Sequence, residues 1–545
     1  MKANLEKLGC KKEQSIYETI LSSATRWPRN TALIYMFHNF NYEHLLKRIN
    51  QFAYSLKEMG VKKDEIVTVC LPNIPDAVYL LYAINQIGAI SNIVHPSYNL
   101  SQMEENIDKT KSKLLFCLDL SYQMFKELNK KGVRVIACSP TNELTFIEKM
   151  VYHHQNKKKI GKIEFKDTTK PFFFAKRELE YDKRYLDDAV LLNSGGTSGK
   201  AKIIALSCFA MNALAHYGPW IIDVDNGKDV GMFAVLPMFH GFGLEMGVHI
   251  MLSFGAVSVL MPKFNRDQTI KYIKKNKIQI MIGIPIIYES LLTKKKFDGK
   301  MLRNLNIAFV GGDFVSTNLL KNFNQLMIVN KSQCRLREGY GLTETVCVCS
   351  VNTHHHHKAA TSGMALPNVR FKVIDPNTME DLGFDKEGEL CIAGETLMNG
   401  YRFADDPKAN EKAFFVDKEG TKWLRTGDFV SLDNDNYITF KQRLKRIIKV
   451  SGIPVFPSMV EDSTCAYSFV YECAAIGVPD EKHGNMIKLF VVLHREYKGT
   501  QDAAKKAIED KIIRDLGIYA KPKEIVFIDR LPHTFVGKID VNKLS

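Results

Sequence analysis

The hydrophobic pattern of the chain alternates between helical and strand-like periods. Apolar residues recur at helical spacing over 42–59 and 77–87, and short β-branched or apolar runs follow at 66–71 and 89–94. Strands that alternate with helices of this length are typical of a parallel α/β sheet. The alternation returns after residue 190, with strand-like runs at 230–236, 256–260, 278–283 and 307–310. The pattern therefore predicts an α/β fold built on parallel sheets.

The pattern changes in three later segments. Lysines crowd into 147–185 and the periodicity weakens, which indicates an exposed insertion or linker outside the catalytic site. Short alternating runs between 370 and 440 predict a smaller, distorted β-rich subdomain. About 100 residues then remain, enough for a small α+β domain of their own. Because a single core stops growing at roughly 250–300 residues, we expect an N-terminal domain over 1–441 and a mobile C-terminal domain over 442–545.

The net charge indicates which classes of partner the protein can bind, and the cysteine content indicates its cellular compartment. Lys and Arg total 75 against 60 Asp and Glu, a formal charge of +15 that favours polyanions such as nucleotides or coenzyme A. We expect no nucleic acid partner, since no basic tail or aromatic-rich basic helix is present. Eleven cysteines without CxxC pairs indicate free thiols and a cytoplasmic protein. Charged and polar residues interrupt the apolar stretch 232–261, so we expect no transmembrane segment.

A glycine- and hydroxyl-rich loop carries the strongest chemical signal. Residues 194–202 read Ser-Gly-Gly-Thr-Ser-Gly-Lys-Ala-Lys and follow an apolar run at 189–192. Glycines allow backbone N–H groups to approach a phosphate closely, and the hydroxyls and lysines add donors and positive charge. By composition alone a surface turn explains the loop equally well. A Walker A loop is excluded, because serine stands at the first position and alanine follows the Gly-Lys pair.

The loop resembles the phosphate loop of the adenylate-forming superfamily, which includes acyl-CoA synthetases, coumarate–CoA ligases, firefly luciferase and peptide-synthetase adenylation domains. Further motifs of that family follow in the expected order: Glu-Gly-Tyr-Gly-Leu-Thr-Glu at 338–344, Trp-Leu-Arg-Thr-Gly-Asp at 423–428, a hinge-like segment from Arg443, and Gly-Lys-Ile-Asp at 537–540. The resemblance extends from residue 40 to 538 and is closest to an acyl-CoA synthetase. Four positions depart from the family pattern, namely Ala201, Asp313, Gln442 and Pro454.

The resemblance implies a nucleotide site with named contacts. Tyr340 would offer a flat face to adenine, Asp428 would accept hydrogen bonds from the ribose hydroxyls, and Arg443 would contact ribose or phosphate. The full set of expected ATP and AMP ligands is Ser194, Gly195, Gly196, Thr197, Ser198, Gly199, Lys202, Gly339, Tyr340, Gly341, Thr343, Asp428 and Arg443.

The resemblance also implies the catalytic groups. Lys538 would be the catalytic lysine that neutralises charge on the α-phosphate and orients the substrate carboxylate. Thr343 would donate to phosphate. Glu344 would hold Mg²⁺, an ion that prefers oxygen ligands and shares them with ATP phosphates.

Two further groups of residues follow from the same resemblance. The segment Leu-Pro-Met-Phe-His-Gly-Phe-Gly at 236–243 resembles the border of the family's acyl pocket. The expected pocket residues are His240, Phe242, Gly311, Gly312, Val346 and Cys347. Lys445 would be the pivot of an interdomain hinge. Lys449, Ser451 and Gly452 would lie on the loop that meets coenzyme A.

The function implied by the resemblance is an ATP-dependent carboxylic acid:CoA ligase. The enzyme would form an acyl-adenylate with Mg²⁺ as cofactor and then an acyl-CoA thioester, with ATP and CoA as cosubstrates and a fatty or aryl acid as the acyl donor. Two alternatives remain at this point. One is a stand-alone adenylation enzyme that loads a carrier protein, and the other is a luciferase-like adenylating oxygenase.

Overall fold

Two large sheets of mostly parallel strands form the body of the molecule. The structure is a computed structural model that describes residues 8–174, 179–193, 202–275, 277–313, 315–533 and 539–544. The first sheet contains, in spatial order, β6 (Arg134–Cys138), β5 (Leu114–Leu118), β3 (Ile66–Cys70), β4 (Ile90–Ile93), β7 (Asp188–Asn193), β8 (Ile203–Ser207) and β18 (Gly400–Arg402). Its strands are parallel from β6 to β7, while β8 and β18 join antiparallel at one edge.

The second sheet has the same mixed character. In spatial order it contains β2 (His38–Asn41), β1 (Thr31–Tyr35), β10 (Val257–Leu260), β9 (Gly231–Ala234), β11 (Ile280–Gly283), β12 (Ile307–Val310), β13 (Leu336–Gly341), β14 (Val348–Val351) and β15 (Met364–Ala365). The strands from β1 to β13 are parallel, and the outer pairs are antiparallel. These sheets confirm the predicted α/β class.

Helices cover the sheets, and several begin at a recognisable sequence signal. Capping boxes, in which an N-cap side chain and the third helical residue bond each other's backbone, open α1, α4 and α6. The α-helices before the third sheet are α1 (Ile16–Arg26), α2 (Tyr42–Glu58), α3 (Pro75–Gln86), α4 (Leu100–Thr110), α5 (Asp119–Phe125), α6 (Phe146–Ile160), α7 (Cys208–His216), α8 (Gly218–Ile221), α9 (Met251–Ser253), α10 (Arg266–Lys274), α11 (Pro285–Leu292) and α12 (Thr317–Val329). A π-helix, Phe242–Ile250, directly precedes α9.

A third, antiparallel sheet follows in sequence. It contains β16 (Val369–Ile374), β17 (Glu387–Gly394), β20 (Lys422–Leu432) and β19 (Phe414–Val416), with β21 (Ile438–Arg443) paired to β20 and the short helix α13 (Ala409–Ala413) beside it. The register of β20 and β21 places Asp428 directly opposite Arg443. This sheet matches the β-rich subdomain expected from the sequence.

The C-terminal part is a small α+β unit. It contains the hairpin β22 (Ile448–Val450) and β23 (Ile453–Val455), the sheet β24 (Val470–Asp480), β25 (Gly484–Leu493) and β26 (Pro522–Phe527), and the helices α14 (Pro457–Cys465) and α15 (Gln501–Leu516). Short 3₁₀ helices occur at Lys126–Lys131, Phe165–Asp167, Lys170–Phe174, Lys300–Asn304, Thr343–Thr345, Leu444–Arg446, Ile518–Ala520 and Val541–Lys543.

The described buried apolar residues form several clusters, of which one is very large and another lies near the C-terminus. The large core draws its residues from Leu8 to Ile438, and the C-terminal core from Ile448 to Ile525. The residues between Ile438 and Ile448 separate these two cores along the sequence.

One segment differs from the sequence-based expectation, and a second agrees with it. The lysine-rich segment 147–185 is not simply a linker, because its first part belongs to the 15-residue helix α6, most of whose side chains are exposed. The apolar stretch 232–261 contains strand β9, the π-helix and strand β10. No helix within the described ranges is long and apolar enough to cross a membrane.

Candidate active site

A cavity opens at the carboxyl ends of β12 and β13. In parallel α/β sheets this end of the strands is where ligands usually bind. The cavity is lined by Ile221, His240, Phe242, Met246, Phe309, Val310, Gly311, Gly312, Gly339, Tyr340, Gly341, Leu342, Thr343, Cys347, Val348 and Val351. Residues expected to bind the nucleotide and residues expected to bind the acid therefore share one cavity.

The sharp turn after Thr343 and Glu344 shapes one wall of this cavity. The amide of Cys347 donates to the carbonyl of Thr345 over 2.7 Å, and Val346 between them has φ 65° and ψ −58°. These values define a γ-turn with positive φ, a conformation that is rare and strained, above all for a β-branched residue. Val346 is fully buried and lies behind the wall, whereas Cys347 lines the cavity.

Two glycines hold this turn from opposite sides. A Cβ on Gly241 would overlap the carbonyl oxygen of Val346, and a Cβ on Gly341 would overlap that of Cys347. Both positions therefore require glycine for a close backbone approach. The strained turn persists because the neighbouring backbone packs directly against its carbonyls.

A buried carboxylate connects the cavity to the third sheet. Asp428 is fully buried; its Oδ2 accepts a hydrogen bond from the Tyr340 hydroxyl over 2.5 Å, and its Oδ1 lies 3.0 Å from Arg443 Nε. Burial and the neighbouring Asp428 carboxylate raise the pKa of the Tyr340 phenol well above its ordinary value. The same carboxylate raises the pKa of the Arg443 guanidinium. The three side chains form one charged, hydrogen-bonded group.

A second polar group surrounds Glu344. The hydroxyl of Tyr401 donates to Glu344 Oε1 over 2.9 Å, and the ammonium of Lys202 lies 4.2 Å from the centre of the Tyr401 ring. Burial and Glu344 raise the pKa of the Tyr401 phenol, so this hydroxyl remains a donor at neutral pH. The ring of Tyr401 thus contacts both an expected metal ligand and an expected phosphate ligand, an arrangement in which cation–π attraction contributes.

Tyr401 is a polar side chain at this site to which the sequence assigns no chemical role, although its segment resembles a structural motif of the family. Its Asn-Gly-Tyr context gives no chemical signal, and only the pairing of β18 with β8 brings it beside Lys202. The apolar lining residues Met246, Phe309 and Val351 were missed for a related reason. Nothing in the sequence distinguishes a side chain on a cavity wall from one in the core.

The expected hinge residues lie at the start of the C-terminal unit. Lys445 is exposed in the 3₁₀ turn Leu444–Arg446. Lys449 is exposed on β22, and Ser451 and Gly452 form the turn of the β22–β23 hairpin with φ of 50° and 82°. The positive φ of Gly452 accounts for glycine at this position in the structure.

The C-terminal unit contacts the rest of the chain at several points. The side-chain amide of Asn318 donates to the carbonyl of Cys465 over 2.6 Å, and the Ser458 hydroxyl donates to the carbonyl of Lys441 over 2.5 Å. The rings of Phe429 and Phe456 stack 5.7 Å apart. The expected phosphate-loop residues 194–199 and the expected catalytic Lys538 lie outside the described residues.

Two family models match the chain. A model described as "AMP-binding enzyme" matches residues 21–402, and one described as "AMP-binding enzyme C-terminal domain" matches residues 459–538. Together they account for most of the sequence in the order expected.

Curated relatives and solved structures agree with these matches. A long-chain-fatty-acid–CoA ligase of Salmonella typhimurium is 28% identical over 96% of this chain and 93% of its own length. A probable 4-coumarate–CoA ligase of Dictyostelium discoideum is 26% identical over 92% of this chain and 89% of its own. The solved anthranilate CoA ligase AuaEII, in complex with anthranoyl-AMP, has a TM-score of 0.83 at 21% identity, covering 98% and 97% of the two chains.

Proposed function

The chain belongs to the AMP-binding enzyme family, and from this premise we propose that it joins a hydrophobic carboxylic acid to coenzyme A at the expense of ATP. The family confirms the resemblance to adenylate-forming enzymes. ATP and CoA are the cosubstrates of this ligase chemistry, and the acid is first activated as an acyl-adenylate. CoA ligases for long-chain fatty acids and for coumarate are both among its relatives.

The observation that carries the proposal is the shared cavity. Tyr340 and Thr343 belong to the nucleotide motif, whereas Phe242 and Met246 are apolar, and all four line the same space. A reaction that joins a carboxylate to the α-phosphate needs both substrates in contact, since orientation alone can contribute on the order of 7 kcal/mol. The apolar lining favours an alkyl or aryl acid over a polar one.

Asp428 would bind the ribose after a local rearrangement. A carboxylate can accept about four hydrogen bonds, so it could retain Tyr340 and still accept from ribose hydroxyls. Its complete burial means that a neighbour must move first. Of its two neighbours, Arg443 is more free to move than Tyr340, because the Arg443 side chain is 52% exposed and lies where the C-terminal unit begins.

The phosphate end of the site would be formed around Glu344. Mg²⁺ usually takes only one or two protein carboxylates and completes its shell with water and substrate phosphates. The half-buried Glu344, already oriented by Tyr401, fits such a ligand. When bound, Mg²⁺ would neutralise charge on the phosphates of ATP. Lys202, Thr343 and the loop 194–199 would donate to the same oxygens, and Lys538 would stabilise the charge that develops at the α-phosphate.

The second half-reaction would use another face of the C-terminal unit. Rotation about Lys445 would withdraw Lys538 and bring the hairpin with Lys449, Ser451 and Gly452 to the cavity, where the CoA thiol attacks the acyl-adenylate. The small polar contacts between the two units support such a motion. Asn318 and Ser458 each donate one hydrogen bond between the two units, and the rotation would break both.

We also place the reaction in the cytoplasm. None of the eleven cysteines forms a disulfide bond in the structure, and nine of them are buried. Free buried thiols are the normal state in a reducing compartment.

The test is ATP-dependent pyrophosphate release across a panel of alkyl and aryl acids, with and without CoA. The proposal expects AMP and an acyl-CoA thioester to appear together when CoA is present, with the preferred acid giving the fastest release. Adenylate formation without any thioester to CoA would refute the CoA acceptor. Release that ignores every hydrophobic acid would refute the assigned substrate class.

A further inference from the structure

Helix α6 is attached to the molecule along one side only. Its inner row contains Glu148, Tyr152, Asn156 and Ile160, spaced four residues apart. Glu148 lies 3.0 Å from the His38 imidazole, the Tyr152 hydroxyl donates to Asp119 over 2.7 Å, and Ile160 is buried. This row fixes the orientation of the helix, so the opposite face points consistently to solvent.

The first two turns of the outer face are apolar and very exposed. Phe146 and Ile147 expose 75% and 73% of their surface, and Met150 and Val151 expose 58% and 50%. Two more aromatic side chains, Phe165 at 59% and Phe174 at 73%, lie on the 3₁₀ turns that follow. Single exposed apolar residues are ordinary, but a cluster of this size marks an interaction surface.

The last turn of the helix is basic. Lys157, Lys158 and Lys159 are all exposed in the last turn of the helix. Residues 146–174 contain seven lysines and three acidic residues, a net charge of 7 − 3 = +4. Glu148 faces inward, and Glu164 pairs with Lys166 at 3.0 Å. The exposed charge of the outer face is therefore positive.

We propose that the outer face of α6 docks on the surface of an anionic lipid bilayer. The four apolar side chains of the first turns would enter the boundary between headgroups and acyl chains, and the lysines of the last turn would contact lipid phosphates. Exposed apolar side chains and lysines supply the two kinds of contact, burial at the acyl boundary and attraction to anionic headgroups, that hold a helix on a bilayer surface. At about 22 Å the helix is too short to span the bilayer, so it lies on the surface. This site is separate from the ligase cavity.

The observations favour lipid over a protein partner. Flexible lysine stems can cover apolar surface and still extend their ammonium groups toward phosphates at varying positions. Such contacts suit a fluid lipid surface, where the phosphates have no fixed positions. A protein groove for an amphipathic helix would instead require a free apolar stripe along the whole helix. Here the apolar stripe ends at Val151, after two turns.

The test is co-sedimentation of the full chain with vesicles of phosphatidylcholine containing about 30% phosphatidylserine, against pure phosphatidylcholine. Ile147→Ser/Val151→Ser should lower the partition coefficient about tenfold. The matched control is Ile328→Ser/Val329→Ser on α12, where the same residue types are 53% and 67% exposed. That control should bind within about twofold of the original chain.

The contribution of the lysines to vesicle binding is tested by a second variant and its matched control. Lys157→Gln/Lys158→Gln should weaken binding to the anionic vesicles about 20-fold, since each lysine near such a surface contributes about a factor of five. Lys505→Gln/Lys506→Gln on α15 removes the same charge from another exposed helix and should have little effect. All four variants should retain the Tm and the ligase activity of the original chain with a water-soluble acid.

Three results would overturn the proposal. The first is no binding of the original chain to anionic vesicles. The second is an equal loss in the α6 variants and their controls. The third is self-association of the original chain in solution that Ile147→Ser/Val151→Ser abolishes, because the surface would then pair with a second copy. Salt at about 0.5 M should reduce binding, since it screens exposed charges.

Discussion

At the scale of single residues, Asp428 joins three features of the proposed site. It is buried on β20, it accepts from the Tyr340 hydroxyl at the cavity, and it pairs with Arg443 where the C-terminal unit begins. The pairing of β20 with β21 sets the last contact. The sequence identified all three side chains through motif resemblance, but it gave no reason to expect that they bond one another.

Replacing Asp428 by Asn tests its proposed ribose contact. The neutral amide loses a charge-assisted acceptor, so we expect the KM for ATP to rise by about 10- to 100-fold, as for hydrogen bonds to charged groups of about 1.5–3 kcal/mol. Tyr340→Phe is the matched control, because it removes one hydrogen bond from the same carboxylate and retains the ring. It should raise the KM only a few-fold. An unchanged KM for ATP in Asp428→Asn would contradict the role.

Asp76 makes a separate prediction about pH and stability. It is buried at the start of α3, where it accepts from Thr169 over 2.7 Å and from Asn142 over 2.8 Å. Burial raises its pKa from 3.8 to about 7. The folded protein therefore holds a proton that the unfolded chain releases, and its contribution to stability is lost as the pH rises from about 4 through 7.

The variant Asp76→Asn should remove this dependence. We expect its Tm to match the original chain at pH 5 and to exceed it by several degrees at pH 8, where the ionised carboxylate costs on the order of 3 kcal/mol. Thermal unfolding at several pH values provides the measurement. A difference between the two proteins that stays constant with pH would refute the raised pKa.

At the scale of helices, strands and turns, the sequence predicts long segments with a regular apolar period, but it does not predict turns whose strained backbone depends on tertiary contacts. The sequence placed helix α2 and strand β12 within one residue of their observed ends. It missed helix α6, because only one face of that helix is attached and the lysines hide its periodicity. It also could not indicate the γ-turn at Val346, since a β-branched residue is a poor candidate for positive φ. Tertiary contacts from Gly241 and Gly341 determine that turn.

A graded glycine series tests how tightly this element is packed. A Cβ on Gly341 would overlap the Cys347 carbonyl, one on Gly311 would lie 2.9 Å from the Gly339 carbonyl oxygen, and one on Gly339 would lie 3.3 Å from that of Ser350. Replacement by alanine should therefore reduce both Tm and adenylation in the order Gly341, Gly311, Gly339. Overpacking of this kind costs about 1–3 kcal/mol of stability. Because the carbonyl displaced by the first variant belongs to Cys347 on the cavity wall, we expect that variant to lose about tenfold in activity. A different order of losses would contradict the close backbone contacts at these three glycines.

At the scale of the whole molecule, the two hydrophobic cores suggest how one chain can perform two half-reactions. Among the described residues, the contacts between the two units include the hydrogen bond from Asn318 to Cys465 and the stack of Phe429 on Phe456, which a rotation would have to break. The sequence pattern predicts a division at this point, because the β-rich stretch ends where the last 100 residues begin. The orientation of the C-terminal unit could not be inferred, since it depends on contacts such as Asn318 with Cys465 that no local pattern encodes.

Two variants should separate the half-reactions that this division supports. Lys538→Ala should reduce adenylation by about 1,000-fold, since it removes charge from the developing transition state, while thioester formation from preformed acyl-AMP falls less than about tenfold. Gly452→Trp should show the reverse bias, because the indole would block the hairpin that meets CoA. Gly420→Trp is the control, as both glycines have φ near 80° and open space where a Cβ would lie. Stopped assays of each half-reaction provide the measurement, and an equal loss in both steps for either variant would mean that one face of the C-terminal unit serves the whole reaction.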